Sequence, residues 1–339
     1  MKNNIDISFI IPVFNTPEEQ IIRCLNSFNV VKDLSIEILL IDDGSNPQNS
    51  VLNKKIAQKY GARYLYEKNS GVSVARNLGL SKAVGEYVFF LDSDDEIKVS
   101  NISKSQLKNK TDIIIYDLLM IDSSIPQKLK FGLDSNFKHT FSSNEFFPYL
   151  LEDGIGNWAA GKLFRRQFMY NNKLRFDASL IEGEDIDLVY NALICKPTIT
   201  YFDKIVYIYN ISFMTGDNRK YSHPFEYLKG IFNVYKIRKR VINLVNIDNK
   251  DLIQKNICRI TVNRIFLIYA YLISSKKKIS NKDSRIINSY IKELKVNPNL
   301  DTRSKLQIYS MEHNCKGLIV GYYHLRAIIH SIRSIKNKK

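Results

Sequence analysis

Cysteine is scarce and scattered in this chain: Cys24, Cys195, Cys258 and Cys315 form no CxxC pair. That excludes a disulfide framework or a zinc site as the organising element and fits a reducing compartment. Glycine-rich phosphate loops are missing as well. The first strand-to-helix turn, Pro12-Val13-Phe14-Asn15-Thr16, holds no glycine, whereas a dinucleotide fold would place GxGxxG there so that backbone amides could approach a pyrophosphate. No GxxxxGK[ST] loop occurs either. A nucleotide bound here must therefore be held by side chains and a metal. Long apolar runs are absent: the longest clean one, Ile265 to Ile273, is far below the roughly 20 residues that span a bilayer. The amino terminus, Met1-Lys2-Asn3-Asn4, runs straight into an expected strand, so no signal peptide is expected. Acid is scarce in the last third, where residues 231–339 carry 23 Lys/Arg against 6 Asp/Glu and leave residues 1–230 near neutral. This asymmetry suggests a neutral catalytic body with a basic surface for phosphate-bearing partners, either nucleic acid or an anionic membrane leaflet.

What the chain does have is an ordinary globular composition, 45% hydrophobic and 25% charged, organised around one stretch. Tyr87 to Leu91 is an apolar, aromatic run that reads as a strand buried on both faces of a parallel sheet. It ends in acid, with Asp92, Asp94, Asp95 and Glu96 inside five positions. Such carboxylates repel one another unless something positive sits among them. Two readings stand: a Mg²⁺ or Mn²⁺ site completed by phosphate oxygens and water, or a solvated turn capping the next element.

Upstream, Ile7 to Val13 reads as a first strand, followed by a helix opened by Pro17, Glu18 and Glu19. Ile36 to Ile41 is a second strand ending in Asp42-Asp43-Gly44-Ser45, Ala62 to Tyr66 a third, and Gly71 to Val84 a helix. Strands alternating with helices define an α/β domain with a mostly parallel sheet, in which ligands lie beyond the carboxyl ends of the strands. The acid pairs Asp42/Asp43 and Asp92/Asp94 are expected on one rim.

Four segments in order, Ile10-Ile11-Pro12-Val13-Phe14-Asn15, Ile41-Asp42-Asp43-Gly44-Ser45, Gly71-Val72-Ser73-Val74-Ala75-Arg76-Asn77 and Phe90-Leu91-Asp92-Ser93-Asp94-Asp95, resemble the successive signatures of glycosyltransferase family 2. The resemblance implies inverting enzymes of GT-A fold, a nucleotide-sugar-binding α/β architecture, and makes Asp92-Ser93-Asp94 similar to the family's DxD motif. It implies donor contacts from Pro12, Phe14, Asp42, Asp43, Arg76, Asp92 and Ser93, with Asp42 on the uracil or ribose, Asp43 nearby and Arg76 on the diphosphate or donor sugar. It implies Asp94 on a Mn²⁺ or Mg²⁺ ion. A cation and a guanidinium suit a leaving nucleoside diphosphate, which gathers negative charge as the glycosidic bond breaks.

Between residues 97 and 150, Asp112 to Tyr116 reads as a strand and Pro126 to Thr140 as a loop. Beyond them, Trp158, the only tryptophan, lies in Gly156 to Arg166 close to two glycines and ahead of Lys162, Arg165 and Arg166. It is a core residue or, as the resemblance implies for Trp158 and Lys162, a sugar contact, since aromatic faces suit the C–H faces of pyranose rings. Glu184 and Asp185 fall in the first turn of a helix carrying Ile186, Val189, Tyr190 and Leu193 at helical spacing. Acids there are favoured by the helix dipole in any protein. The resemblance matches them to the family's ED signature and implies a general base for the acceptor hydroxyl, Asp185 first and Glu184 second. Thr198 to Tyr209 reads as two short strands around Asp203-Lys204. Arg219 and His223 follow in a segment that departs from the family pattern, where His223 is a candidate for the metal and either residue for the diphosphate.

The last third reads as helices around Phe225–Val245, Leu252–Ser274, Lys282–Leu294 and Gly317–Ile335. In the final one Leu318, Tyr322, Leu325, Ile329 and Ile332 share a face, with Arg326, His330 and Arg333 on another. It packs on the catalytic part or, with Lys276-Lys277-Lys278, lies on an anionic membrane surface. The expected organisation is a GT-A catalytic domain over residues 1–224, its nucleotide half in 1–100 and its acceptor half in 101–224, with a basic helical region in 225–339. The expected function is metal-dependent inverting transfer from a UDP-sugar to a glycan, lipid-linked, in bacterial surface polysaccharide synthesis at the cytoplasmic membrane face, with oligomeric state open. A nucleotidyltransferase and a nucleic-acid binder are the alternatives. The first lacks its glycine-rich loop, and no recognised nucleic-acid motif accompanies the basic charge.

Overall fold

The computed structural model describes residues 5–28, 33–122, 125–129, 140–142, 145, 155–180, 182–211, 223–244, 250–277, 279–298 and 300–325. It divides into two compact units, Met1–Leu180 with Glu184–Gly216, and Ile181–Gly183 with Asp217–Lys339.

The first unit is an α/β layer structure. Its strands among the described residues are β1 Ile7–Val13, β2 Ile36–Asp43, β3 Arg63–Glu67, β4 Tyr87–Phe90, β5 Glu96–Ile97, β6 Ile113–Asp122, β7 Ile125–Leu129, β8 Thr140–Phe141, β9 Lys162–Arg165 and β10 Ile199–Ile211. One sheet joins them in the order β3-β2-β1-β4-β9-β6-β10-β5, with β7 on β6 and β8 on β10. Every residue of β1 and β4 is buried, as expected of central strands covered on both faces, and this is why both read as unbroken apolar runs. Helices α1 Glu18–Asn26, α2 Pro47–Lys59 and α3 Val72–Lys82 connect β1 to β4. Helix α3 lies close to the sheet, since a Cβ on Gly79 would come within 2.4 Å of Ile10 Cγ2. The sheet is parallel from β3 to β4. Beyond β4 it turns mixed: β9 runs antiparallel to both β4 and β6, whereas β10 runs parallel to β6. Short helices α4 Lys104–Leu107 and α5 Arg166–Asn171 and the longer α6 Glu184–Ile194 complete the unit.

Two local expectations change. Residues 126–129, expected as loop, belong to β7, which among the described residues pairs with β6, and a strand at a sheet edge tolerates a proline such as Pro126. The two strands expected around Asp203-Lys204 are one strand, β10, whose register on β6 shifts between Phe202 and Ile205 and again between Ile205 and Tyr207.

The second unit is helical: α7 Pro224–Leu244, α8 Lys250–Ser274, α9 Asn281–Lys295 and α10 Thr302–Glu312, with residues 316–325 helical too. Phe232 of α7 stacks on Tyr290 of α9 at 3.9 Å between centroids. Helix α8 is long and apolar enough by composition to cross a membrane, yet half of that stretch is buried within the protein. Helix α10 had not been expected. Its buried face includes Ser304, Gln307 and Ser310 beside Ile308 and Met311, so no apolar period marks it. The basic end of the chain, residues 326–339, and Lys278 lie outside the described residues, as does Arg219.

Candidate active site

The site is built where the carboxyl ends of β1, β2 and β4 meet. Asn15 follows β1 with φ +49°. Its Oδ1 accepts from Asn46 N and Nδ2 at 2.9 and 3.0 Å, and its N–H donates to Ser45 Oγ at 2.9 Å, tying the turn after β1 to the turn after β2. Gly44 permits that second turn: its φ is +74°, and a Cβ would lie 2.3 Å from Asn69 N.

Asp42 and Asp43 do different things. Asp42 is fully buried and accepts from Ser45 N at 2.8 Å, Asn53 Nδ2 at 3.0 Å and the Tyr64 hydroxyl at 2.8 Å. Burial works to raise its pKa, but those hydrogen bonds outweigh it and hold the carboxyl below its ordinary value. Asp43 accepts from Ser70 N at 2.7 Å and Gly71 N at 3.0 Å and lines a cavity of about 600 Å³ together with Pro12, Phe14, Asp92, Ser93 and Asp94. Asp42 is not part of that lining. Of the two carboxylates it is Asp43 that reaches the cavity, while Asp42 shapes the turn after β2.

Arg76, from α3, is the hub. Its guanidinium pairs with Asp92 at 2.8 Å, Glu184 at 3.2 Å and Asp185 at 3.3 Å, and the Phe176 ring covers it at 5.1 Å from Cζ to centroid. Phe176 is held by a two-way clamp in which its N–H donates to Asn77 Oδ1 and its carbonyl accepts from Asn77 Nδ2. Arg76 is only 6% exposed and does not line the cavity. Burial alone would lower its pKa, yet Asp92, Asp185 and Glu184 together raise it. The structure therefore seats Arg76 beside Asp92 as a counter-charge, with Asp92 and not Arg76 in the cavity lining.

The acid run resolves residue by residue. Asp92 faces Arg76. Glu96 faces Arg23 at 3.5 Å. Asp95 is buried, accepts from the Tyr207 hydroxyl at 2.5 Å and from Asn210 N at 2.7 Å, and is pushed up to about 8 by burial and by Asp92 and Asp94. Asp94 has no ion-pair partner within 4.0 Å among the described residues and is raised by burial and then by Asp92. Ser93 shares a hydrogen bond with Thr16 at 2.9 Å.

Glu184 and Asp185 open α6. Asp185 Oδ2 accepts from Ala159 N at 3.1 Å, so the segment carrying Trp158 seats the carboxylate. Burial and the adjacent Asp185 push Glu184 up to about 7; burial likewise raises Asp185, against the pull of Arg76. Lys162, expected as a sugar contact, is 2% exposed: β9 draws it inside, its Nζ donates to Trp158 O at 2.5 Å, and burial lowers it to about 7 although Asp185 opposes this. Trp158 is half-buried with its ring 5.6 Å from that of Tyr209. His223 belongs to the second unit, where it faces Glu226 at 3.8 Å. Among the described residues no group of three His, Cys, Asp or Glu side chains could by itself hold a metal ion. Tyr207 and Asn210, which reach the acid run, and Phe176, which covers Arg76, escaped the sequence reading, since nothing in an alternating strand or a loop says which residue turns back towards a partner a hundred positions earlier.

A parallel half-sheet with an acid-lined cavity at its strand ends, backed by an acid-bearing helix, is a GT-A arrangement, and the comparisons agree on the fold. The profile of Glycosyl transferase family 2 matches residues 8–167. Glycosyltransferase GlyA of Streptococcus pneumoniae is 29% identical over 217 residues, covering 60% of this chain and 30% of the relative. Poly(ribitol-phosphate) beta-N-acetylglucosaminyltransferase TarP of Staphylococcus aureus is 32% identical over 190 residues, covering 53% of this chain and 54% of the relative. The chain thus spans less than two thirds of the length of these relatives. The crystal structure of S. aureus TarS 1–349 in complex with UDP-GlcNAc shares the fold, with a TM-score of 0.62 at 20% identity over 95% of this chain and 92% of that one. Residues 8–167 thus form a glycosyltransferase family 2 domain.

Proposed function

We propose that this glycosyltransferase moves a sugar from a UDP-sugar, with inversion, to a hydroxyl of a surface-polysaccharide acceptor carried on lipid. The observation that carries the reading is the continuity from Asp43 and Asp94 in the cavity wall, through Asp92 and Arg76, to Asp185. One end suits a nucleoside diphosphate and the other a nucleophilic hydroxyl. The names of the relatives support the acceptor and donor class: TarP acts on poly(ribitol-phosphate), and TarS was crystallised with UDP and with UDP-GlcNAc.

In this reading Asp185 takes the proton of the acceptor hydroxyl as its oxygen bonds to the anomeric carbon. The bond from that carbon to the diphosphate breaks, and the diphosphate leaves with the electron pair. Arg76 keeps Asp185 and Asp92 fixed and partly neutralised. The carboxyl of Asp94, with Asp92 beside it, fits a hard divalent cation, because Mg²⁺ and Mn²⁺ are commonly held by one or two carboxylates and complete their shell with phosphate oxygens and water. When bound, such an ion offsets the charge of the departing diphosphate. A panel of UDP-, GDP- and dTDP-sugars incubated with Mn²⁺ tests the reading. Slow release of nucleoside diphosphate from a UDP-sugar is expected, lost on chelation and in Asp94→Ala; release from no donor would overturn it.

The basic last third supports peripheral attachment to an anionic membrane leaflet at its cytoplasmic face. Retention on phosphatidylglycerol vesicles, with release by salt and no retention on duplex DNA, is the expected outcome of a flotation assay. Equal retention on DNA would favour a nucleic-acid role for this region.

A further inference from the structure

The cavity-lining carboxylates are ordered by a strand that is remote in sequence. Strand β10 shifts register between Ile205 and Tyr207, after which Tyr207 and Ile208 pair with Ile97 and Glu96 of β5. This turns the Tyr207 hydroxyl towards the acid run, where it accepts from Asp92 N at 3.3 Å and donates to Asp95 Oδ2 at 2.5 Å. Asn210, three residues on, donates its N–H to Asp95 Oδ1 at 2.7 Å and its Nδ2 to Asp94 O at 3.2 Å. Asp95 is 1% exposed and forms no part of the cavity wall. The third acid of the run therefore faces inward onto β10, whose Tyr207 and Asn210 also hold the backbone of the two residues whose carboxylates face the cavity.

We propose that Asp95 and Tyr207 are positioning residues that hold Asp92 and Asp94 in the geometry that binds a divalent cation with the donor diphosphate, an inference that rests on the metal reading above. A carboxylate on a turn with free backbone torsions loses entropy on coordinating an ion. A turn pinned at Asp92 N, Asp94 O and the Asp95 carboxyl has already lost it. Partners that orient metal ligands in this way are commonly worth 10- to 100-fold in metal affinity.

The test is calorimetric binding of UDP with and without Mn²⁺ to the full chain and to Tyr207→Phe, which removes one oxygen and keeps the ring stacked on Phe89 at 6.2 Å. The expected result is a loss of about 10- to 100-fold in UDP affinity with Mn²⁺ and unchanged affinity without it. Asp95→Asn carries the same expectation and serves if Tyr207→Phe does not fold. Tyr201→Phe is the control: it removes another buried tyrosine–aspartate bond on the same strand, from Tyr201 to Asp117 at 2.8 Å, and is expected to leave Mn²⁺-supported binding intact. Parental affinity with Mn²⁺ in Tyr207→Phe, or an equal loss with and without the ion, overturns the inference alone. A parent whose UDP affinity ignores Mn²⁺ overturns the metal reading and this inference with it.

Discussion

Asp185→Asn is expected to lower kcat by about 10²- to 10⁴-fold, the range a positioned general base contributes, while UDP binding stays at the parental level. The separation follows from geometry: Asp185 sits on Ala159 N and Arg76 and does not line the cavity that Asp43 and Asp94 share. The pH profile gives a second readout. Burial raises Asp185 above its ordinary carboxylate value, against the pull of Arg76, so its base form is lost at a higher pH than that of an exposed aspartate. Parental kcat/KM should therefore decline on the acid side, and the decline should flatten in Asp185→Asn. Steady-state kinetics over pH 5 to 9, with UDP titrated separately, reads both effects. Near-normal turnover in the variant would remove Asp185 from the base role.

Arg76→Met should have the largest effect on stability. Removing one partner of a buried ion pair typically costs about 3–5 kcal/mol, because the charge left behind is uncompensated, and here three carboxylates face the same guanidinium. The pH dependence has a definite sign. The folded-state pKa of Glu184, about 7, lies above its ordinary 4.5, so the folded chain binds more protons than the unfolded one in that window. The contribution of Glu184 to stability is full below about 4.5 and is lost as pH rises through about 7. Without Arg76, which pulls both down, Glu184 and Asp185 are pushed higher still, so urea unfolding should show the variant's deficit growing from pH 5 to pH 8. A deficit independent of pH would mean that packing on Phe176, and not charge, is what Arg76 supplies.

The order β1-α1-β2-α2-β3-α3-β4 was legible because central parallel strands are unbroken apolar runs and their acid ends are conspicuous. The acid run Asp92 to Glu96 divides, with Asp92 and Asp94 in the cavity wall and Asp95 turned inward. What stayed hidden was relational. Nothing local told Arg76 that its partners lie 108 and 109 residues away, or Lys162 that β9 would be pulled between β4 and β6 and bury its ammonium. The sharing of β10's hydroxyls and amides with the acid run depends on a register shift, which no periodicity encodes.

Asp42 and Asp43 are neighbours, and a strand sends neighbours to opposite faces. Their division into a buried turn-former and a cavity carboxylate is therefore a matter of parity. Adding or deleting one residue within β2 would exchange the two environments, presenting the wrong acid to the ligand and burying the other without its three donors. A one-residue insertion in β2 is therefore expected to cost more than a conservative replacement at either aspartate.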